Sequence, residues 1–199
     1  MPQRLPSVSI RPFRRWDRAA YVELRQRNAA WLDHWEARDP ELDPPVSRPE
    51  WTAYYHGLFR ALRDQHRLGH ARSFAILADG ALVGHLTFAP ILWGATLQSS
   101  AGYWVSERHA GRQIAPRALA LGIEEMIHGE GLHRIEVLVQ SANVASLAVV
   151  AKVGLRPEGI RRGAIFVDGA WRDHEVFAIT AEDVGEPGEF SAGVQRRSR

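Results

Sequence analysis

The sequence contains no cysteine. That absence excludes disulfides, thiolate metal ligands and a covalent cysteine nucleophile together. No apolar run approaches the roughly 18 residues of a membrane span, and the opening MPQRLPSVSIRPF lacks the long apolar core of a signal peptide. A cytoplasmic protein without a membrane segment is expected. Charge of one sign is also scarce: 25 Lys and Arg stand against 23 Asp and Glu, a net charge of +2. The arginines are scattered among acidic neighbours, which argues against direct nucleic-acid binding. None of the nine histidines falls in the i, i+4 pairing of a metal helix with a carboxylate set between the two, so no metal site is expected. What remains is a chain of 199 residues, 45% hydrophobic, large enough for one well-buried core and small for two. One α/β domain is the expectation.

Residues 103–162 are the most informative. A short β-type run at 101–106 gives way to a basic loop with Arg108, His109, Gly111 and Arg112, and a helical pattern opens near Pro116. Glycine lets backbone approach a ligand closely, and the N–H groups at a helix start carry roughly half a positive charge, so this junction suits a phosphate or pyrophosphate. A solvated basic turn explains the same residues. After Gly129 and Gly131, residues 134–140 alternate as a strand, Asn143 stands at an N-cap position, and 144–152 run as a helix ended by Gly154. Asn143 and Ser146 thereby fall on one first turn, close to a strand's C-terminal end, where open α/β sheets bind ligands. Capping alone also accounts for Asn143, and a helix-surface hydroxyl for Ser146.

The flanking segments read as scaffold. Residues 8–13 form a first strand; Ala20, Leu24 and Trp31 recur at helical spacing, and Trp31 and Trp35 lie one turn apart. Ser47 with Glu50 has the pattern of a capping box, and Trp51, Tyr54, Tyr55, Leu58 and Leu62 mark one face of a long amphipathic helix. Strands at 73–78 and 82–93 join through Asp79-Gly80, a hairpin pair, and Gly84 predicts a bulge. A second hairpin turns at Asp168-Gly169. The domain spans 1–183, and the aperiodic 184–199, with its Gly, Pro and terminal Arg residues, is expected to be a disordered tail.

Three segments together carry a resemblance: GYWVSERHAGRQIAPRAL, GLHRIEVLVQSANVASLAVVAKVGLRPEG and FVDGAWRDHEVFAIT. They resemble the GCN5-related N-acetyltransferase (GNAT) superfamily, and within it the ribosomal-protein-alanine N-acetyltransferase (RimJ/RimL-type) branch, over about residues 10–183. The resemblance implies the acyl-CoA N-acyltransferase fold, a mixed seven-stranded sheet flanked by helices and splayed at its fourth and fifth strands. It implies acetyl-CoA as cosubstrate, with pantetheine in the splay. The donor-binding positions would be Trp104, Val105, Arg108, His109, Ala110, Gly111, Arg112, Gln113, Ile114 and Ala115, with Asn143 holding the pantetheine. The early helices would wall the acceptor cleft, through Trp31, Trp35 and Glu36. The implied partner is a protein N-terminus, a ribosomal protein being the branch's case; a homodimer is left open.

The chain also departs from that family. Gln113 replaces a small residue of the acyl-CoA loop, and Pro116-Arg117 replaces a common Thr-Glu, with Arg117 an added cation near the phosphates. Amide formation needs a base or water path, an oxyanion donor and an acid. Val105 N–H is the expected oxyanion donor, and the resemblance places Ser146 as the acid near the CoA sulfur. Leu138 and Val150 stand where relatives carry a strand Glu and a helix Tyr, so a base must come from elsewhere. Glu136, about 7 Å along the same strand from Leu138, acting through water, and Glu158 are the candidates. An acetyl- or succinyltransferase of a small amine (antibiotic, polyamine or amino acid) is the alternative, and a CoA-binding module without catalysis a third reading.

Overall fold

The computed structural model describes residues 4–42, 45 and 47–197. β1 (Val8–Pro12) is followed by α1 (Arg18–Arg27), α2 (Ala29–Leu32) and the long α3 (Arg48–Leu68). Then come β2 (Arg72–Ala78), β3 (Ala81–Leu92), β4 (Gln98–Val105) and α4 (Ile114–Glu124). The chain continues through β5 (Arg134–Val139), α5 (Val144–Val153), β6 (Arg156–Val167), β7 (Ala170–Thr180), α6 (Ala181–Val184) and α7 (Glu189–Arg197). The seven strands form one mixed sheet in the order β1-β2-β3-β4-β5-β7-β6, antiparallel except between β4 and β5.

Local chemistry sets the boundaries. Both hairpins turn on two residues with positive φ, 48° and 81° at Asp79-Gly80 and 49° and 73° at Asp168-Gly169, the left-handed pair that matches strand twist. Ser47 accepts from Glu50 N–H at the start of α3, and Gly69 ends it in a left-handed conformation. The helical pattern expected to run through Trp31 is broken at Asn28, which divides α1 from α2. Its amide donates to Leu24 O at 2.7 Å, and its Oδ1 accepts from Glu107 N–H at 2.9 Å. One buried side chain thus ties the early helices to the loop after β4.

Strand alternation separates two cores. Phe74 and Ile76 of β2 join Leu86, Phe88, Leu119 and Ile123 on the α4 and α5 face. Ala75 instead packs with Phe13, Tyr21, Tyr55 and Phe59 on the α1 and α3 face, as period-2 side chains must. On α3 the fully buried rings are Tyr55 and Phe59, while Tyr54 of the expected stripe is 41% exposed.

The C-terminal segment differs from expectation. Rather than being disordered, residues 189–197 form α7, which buries Val194 in the core beside α4 and α5, and Ser191 N–H donates to Glu124 Oε1 at 3.0 Å. Gly185, Pro187 and Gly188 produce the aperiodic look, but they form a linker rather than the whole tail. Residues 198 and 199 lie outside the described residues.

His85 of β3 is buried with its ring edge-on to Phe13, at 5.3 Å between centroids, and to Tyr21 at 5.9 Å. Burial, then Arg25, push its pKa from 6.5 down to about 3. The unfolded chain therefore binds a proton that the folded chain refuses. The contribution to stability is complete above about pH 6.5 and is lost as pH falls toward 3, with a slope approaching about 1.4 kcal/mol per pH unit. Urea unfolding across this range should show the His85→Leu variant with a flatter acid limb than the wild type. Parallel curves for the two would contradict it.

Candidate active site

The site begins where the sheet comes apart. β4 pairs with β5 over only three rungs, Gln98 with Arg134, Ser99 with Ile135 and Ser100 with Glu136. Beyond them β4 follows β3 while β5 follows β7. Ser106 N–H donates to Val83 O at 2.7 Å, so by antiparallel alternation the preceding rung, Val105 opposite Gly84, is a non-hydrogen-bonded one. Val105 N–H consequently points away from β3, into the splay.

A cleft of about 600 Å³ occupies this splay, within the range of small-molecule sites. One stretch of wall is Tyr103, Trp104 and Val105; the loop and α4 start add His109, Ala110, Gly111, Gln113, Ile114 and Ala115. Asn143, Ser146 and Lys152 face them from α5, and Arg25, Trp31, Trp35 and Glu36 close the far end. The structure thus gathers most of the expected donor-side residues and all three acceptor-side residues into one cavity. Arg108 and Arg112 sit on the loop without lining it. Arg117 also turns away, donating to Pro6 O at 2.7 Å.

Local rules build the donor side. Gly111 has φ of 72° and open space where a side chain would begin, so backbone lines that part of the loop. Gln113 adopts φ of 59° at the N-cap of α4, a conformation that disfavours a side chain by about 1 kcal/mol. Its Oε1 accepts from Lys152 Nζ at 2.9 Å; this is the chain's only lysine, and the bond links loop to α5 across the cleft. The His109 pKa is held below its ordinary value by burial and by Arg112 and Arg108, so the ring is neutral at pH 7. On α5, Asn143 Oδ1 accepts Ser146 N–H at 3.0 Å, which fixes the first turn and with it the Ser146 hydroxyl. These loop amides, helix termini and splayed edge fit the pyrophosphate and pantetheine of a CoA thioester.

Sequence reasoning missed Tyr103. It points to the same face of β4 as Val105, and its hydroxyl lies 2.9 Å from Ser146 Oγ. Burial pushes the phenol up to about 12, with the Ser146 hydrogen bond offsetting part of the shift. Alternation along β4 was the available signal, but a partner on α5 could not be read from it.

The structure does not bring the two expected bases to the cleft. Glu136 is 4% exposed and sits at the last β4–β5 rung, held by Arg134 at 2.9 Å and Arg161 at 2.9 Å. Glu158 pairs with the same Arg134, whose hydrogen bond holds its carboxyl below the usual range. Among the described residues, Glu36 is the only carboxylate lining the cleft. It pairs with Arg25, itself 2% exposed, whose guanidinium lies 5.0 Å from the Tyr55 ring and 5.2 Å from the Trp104 ring. Burial opposes that positive charge, but Glu36 and the neighbouring Tyr21 and Tyr55 together outweigh it, and the Arg25 pKa is raised.

A family model described as an acetyltransferase (GNAT) domain matches residues 7–156. The chain belongs to the GNAT N-acetyltransferase family. A solved structure of Mycobacterium smegmatis RimJ in complex with CoA-disulfide superposes with a TM-score of 0.85 and 34% identity, covering 96% of this chain and 90% of that one. The Escherichia coli ribosomal protein uS5 alanine N-acetyltransferase is 26% identical over 171 residues, 84% of this chain and 85% of that protein. The probable N-acetyltransferase YjcK of Bacillus subtilis is 35% identical over 106 residues, which cover 53% of this chain and 59% of YjcK. No helix among the described residues is long and apolar enough to cross a membrane.

The GNAT cleft also explains Gly84. A Cβ there would stand 2.2 Å from Trp104 O and 3.0 Å from Val105 Cα, backbone atoms that cannot rotate away. Substituting Gly84 with Ala should push β4 off β3, lowering stability by about 1–3 kcal/mol and lowering activity beyond the loss of folded protein. Chemical denaturation with active-site titration checks this; a variant of wild-type stability and activity would show that β4 is not held there.

Proposed function

We propose that this GNAT domain transfers an acetyl group from acetyl-CoA to the N-terminal α-amine of a protein, a ribosomal protein being the acceptor that the relatives' names favour. The observation that carries the reading is the acceptor end of the cleft. Trp31 and Trp35, 37% and 40% exposed, stand beside a carboxylate already neutralised by Arg25. Such a wall accommodates one small amine. It supplies no excess negative charge for a polyamine, whose further ammonium groups would need carboxylates of their own.

The chemistry suits a weakly basic acceptor. A protein α-amine has a pKa near 7.7 to 8, against about 10.4 for lysine, so at pH 7 a sizeable fraction is already neutral. The amine nitrogen bonds to the thioester carbonyl carbon, and Val105 N–H receives the charge that develops on oxygen. As the C–S bond breaks, Ser146 gives its hydroxyl proton to the thiolate, while the proton lost by the amine passes to water. Glu36 holds the amine at that far end of the cleft and has little deprotonation left to do.

Two matched peptides test the reading, one with a free Ala or Ser N-terminus and no lysine, the other N-terminally blocked with one free lysine. Across about pH 6.5 to 9 the first should be acetylated at a rate that plateaus near the α-amine pKa, and the second should react poorly. In the Glu36→Gln variant the KM for the first peptide should rise about tenfold, with that for acetyl-CoA unchanged. Preference for the lysine peptide, or for a polyamine over both, would sink the assignment.

A further inference from the structure

We propose that Tyr103 is the positioning residue for Ser146: the phenol donates to Ser146 Oγ, which leaves the serine proton free and aimed into the splay, at the sulfur of the departing CoA. This rests on Ser146 acting as the acid, as proposed above. The two oxygens lie 2.9 Å apart, whereas the phenol is 3.4 Å from the Ser146 carbonyl oxygen, so Oγ is the nearer acceptor.

The direction of that bond follows from what each group can do. A serine hydroxyl has one proton and two acceptor positions. If it donated to Tyr103, it would have nothing to give the thiolate; if it accepts from Tyr103, both of its functions are used. The raised phenol pKa keeps Tyr103 protonated, and thus a donor, throughout the working range. Tyr103 does not give its proton to sulfur directly, because that proton is engaged by Ser146 Oγ at 2.9 Å, where it stabilises the serine oxygen as the serine proton leaves. The balance is one N–C bond formed, one C–S bond broken, one proton from Ser146 to sulfur, and recovery of that proton from water.

Position explains why this strand provides the hydroxyl. The α5 residue at which relatives carry a tyrosine is Val150, which is fully buried and has nothing to donate. Tyr103 reaches the same helix from the opposite wall of the splay, two residues before the Val105 N–H. One strand therefore presents the oxyanion donor and orients the acid.

The absence of cysteine makes the thiolate of bound CoA directly observable, because no protein thiol absorbs with it. The titration of CoA bound to the wild-type protein and to Tyr103→Phe, Ser146→Ala and the double variant is read from the thiolate absorbance difference against CoA-free protein. The charged cleft residues Arg25, Glu36 and Lys152 and the imidazole of His109 are common to all four. The bound thiol should titrate below its ordinary value near 8.5 in the wild type, and higher by about half a unit or more in Tyr103→Phe. Ser146→Ala should raise it at least as far, and the double variant should match Ser146→Ala. With the α-amine peptide, Tyr103→Phe should lower kcat about tenfold with the KM for acetyl-CoA held within about twofold.

An unshifted thiol in Tyr103→Phe, or an equal further shift when Tyr103→Phe is added to Ser146→Ala, overturns the proposal. An unshifted thiol in Ser146→Ala removes the acid and Tyr103's role with it. The expected thiol shifts with no peptide acetylated leave Tyr103's placement supported and count against the α-amine acceptor alone.

Discussion

The fork between β4 and β5 is the constraint on which the site depends. Three parallel rungs end at Ser100 and Glu136, after which each strand remains paired only on its outer side. An inner edge of backbone within a domain must find hydrogen-bond partners, and a ligand that brings its own amides can provide them. The Arg134, Glu136, Arg161 and Glu158 ion pairs converge at this fork, with Glu136 on the last rung. Removing one partner would strand a buried charge, which is costly, so the network acts as a pin on the fork. That role accounts for a buried carboxylate next to a catalytic cleft that it does not enter.

The elements legible in the sequence were those with local causes. Asp79-Gly80 and Asp168-Gly169 fold as hairpin turns because only left-handed pairs suit them, and Gly154 ends α5 with φ of 92°. Asn143 caps α5 as its position predicts. The Gly84 bulge also follows: Ile76 opposes Gly84 while Leu77 opposes Leu82, leaving Val83 as the extra residue. What could not be read were side chains whose partners lie far along the chain. Arg117 bonds Pro6, Asn28 bonds Glu107 and Tyr103 meets Ser146, none with a local signature. The tail failed for a related reason: α7 has a short apolar face that gains stability only by docking on α4 and α5.

Gln113 shows how a departure from the family's loop is accommodated. A glycine would take the left-handed conformation without penalty; glutamine does so at about 1 kcal/mol but gains a bond to Lys152 that glycine lacks. An exposed bond of this kind stabilises by roughly the same amount. The loop keeps its backbone course, and the backbone is what a pyrophosphate contacts. The substitution alters the rim of the site more than its floor.

The two ends of the cleft are therefore built from different physics, and this decides what a sequence can disclose about each. The donor end relies on amide groups, helix termini and a strand edge, features that survive changes such as Gln113 and Pro116 because no particular side chain is required. The proposed acceptor end is lined by Trp31, Trp35, Arg25 and Glu36, which are specific as side chains but uninformative as a pattern, since aromatic residues at helical spacing usually belong to a core. Here they belong to neither core cluster and face the cleft instead, for a traceable reason. Asn28 breaks the early helix and is bonded to the loop after β4, which holds the short α2 and the turn beyond it over the splay. The Arg25 guanidinium, packed against Tyr55 and Trp104, then fixes Glu36 in place. On the proposed reading, acceptor choice passes through one asparagine and one buried arginine, and the geometry of the amine is set from the α1 and α3 face while the chemistry is set from the other.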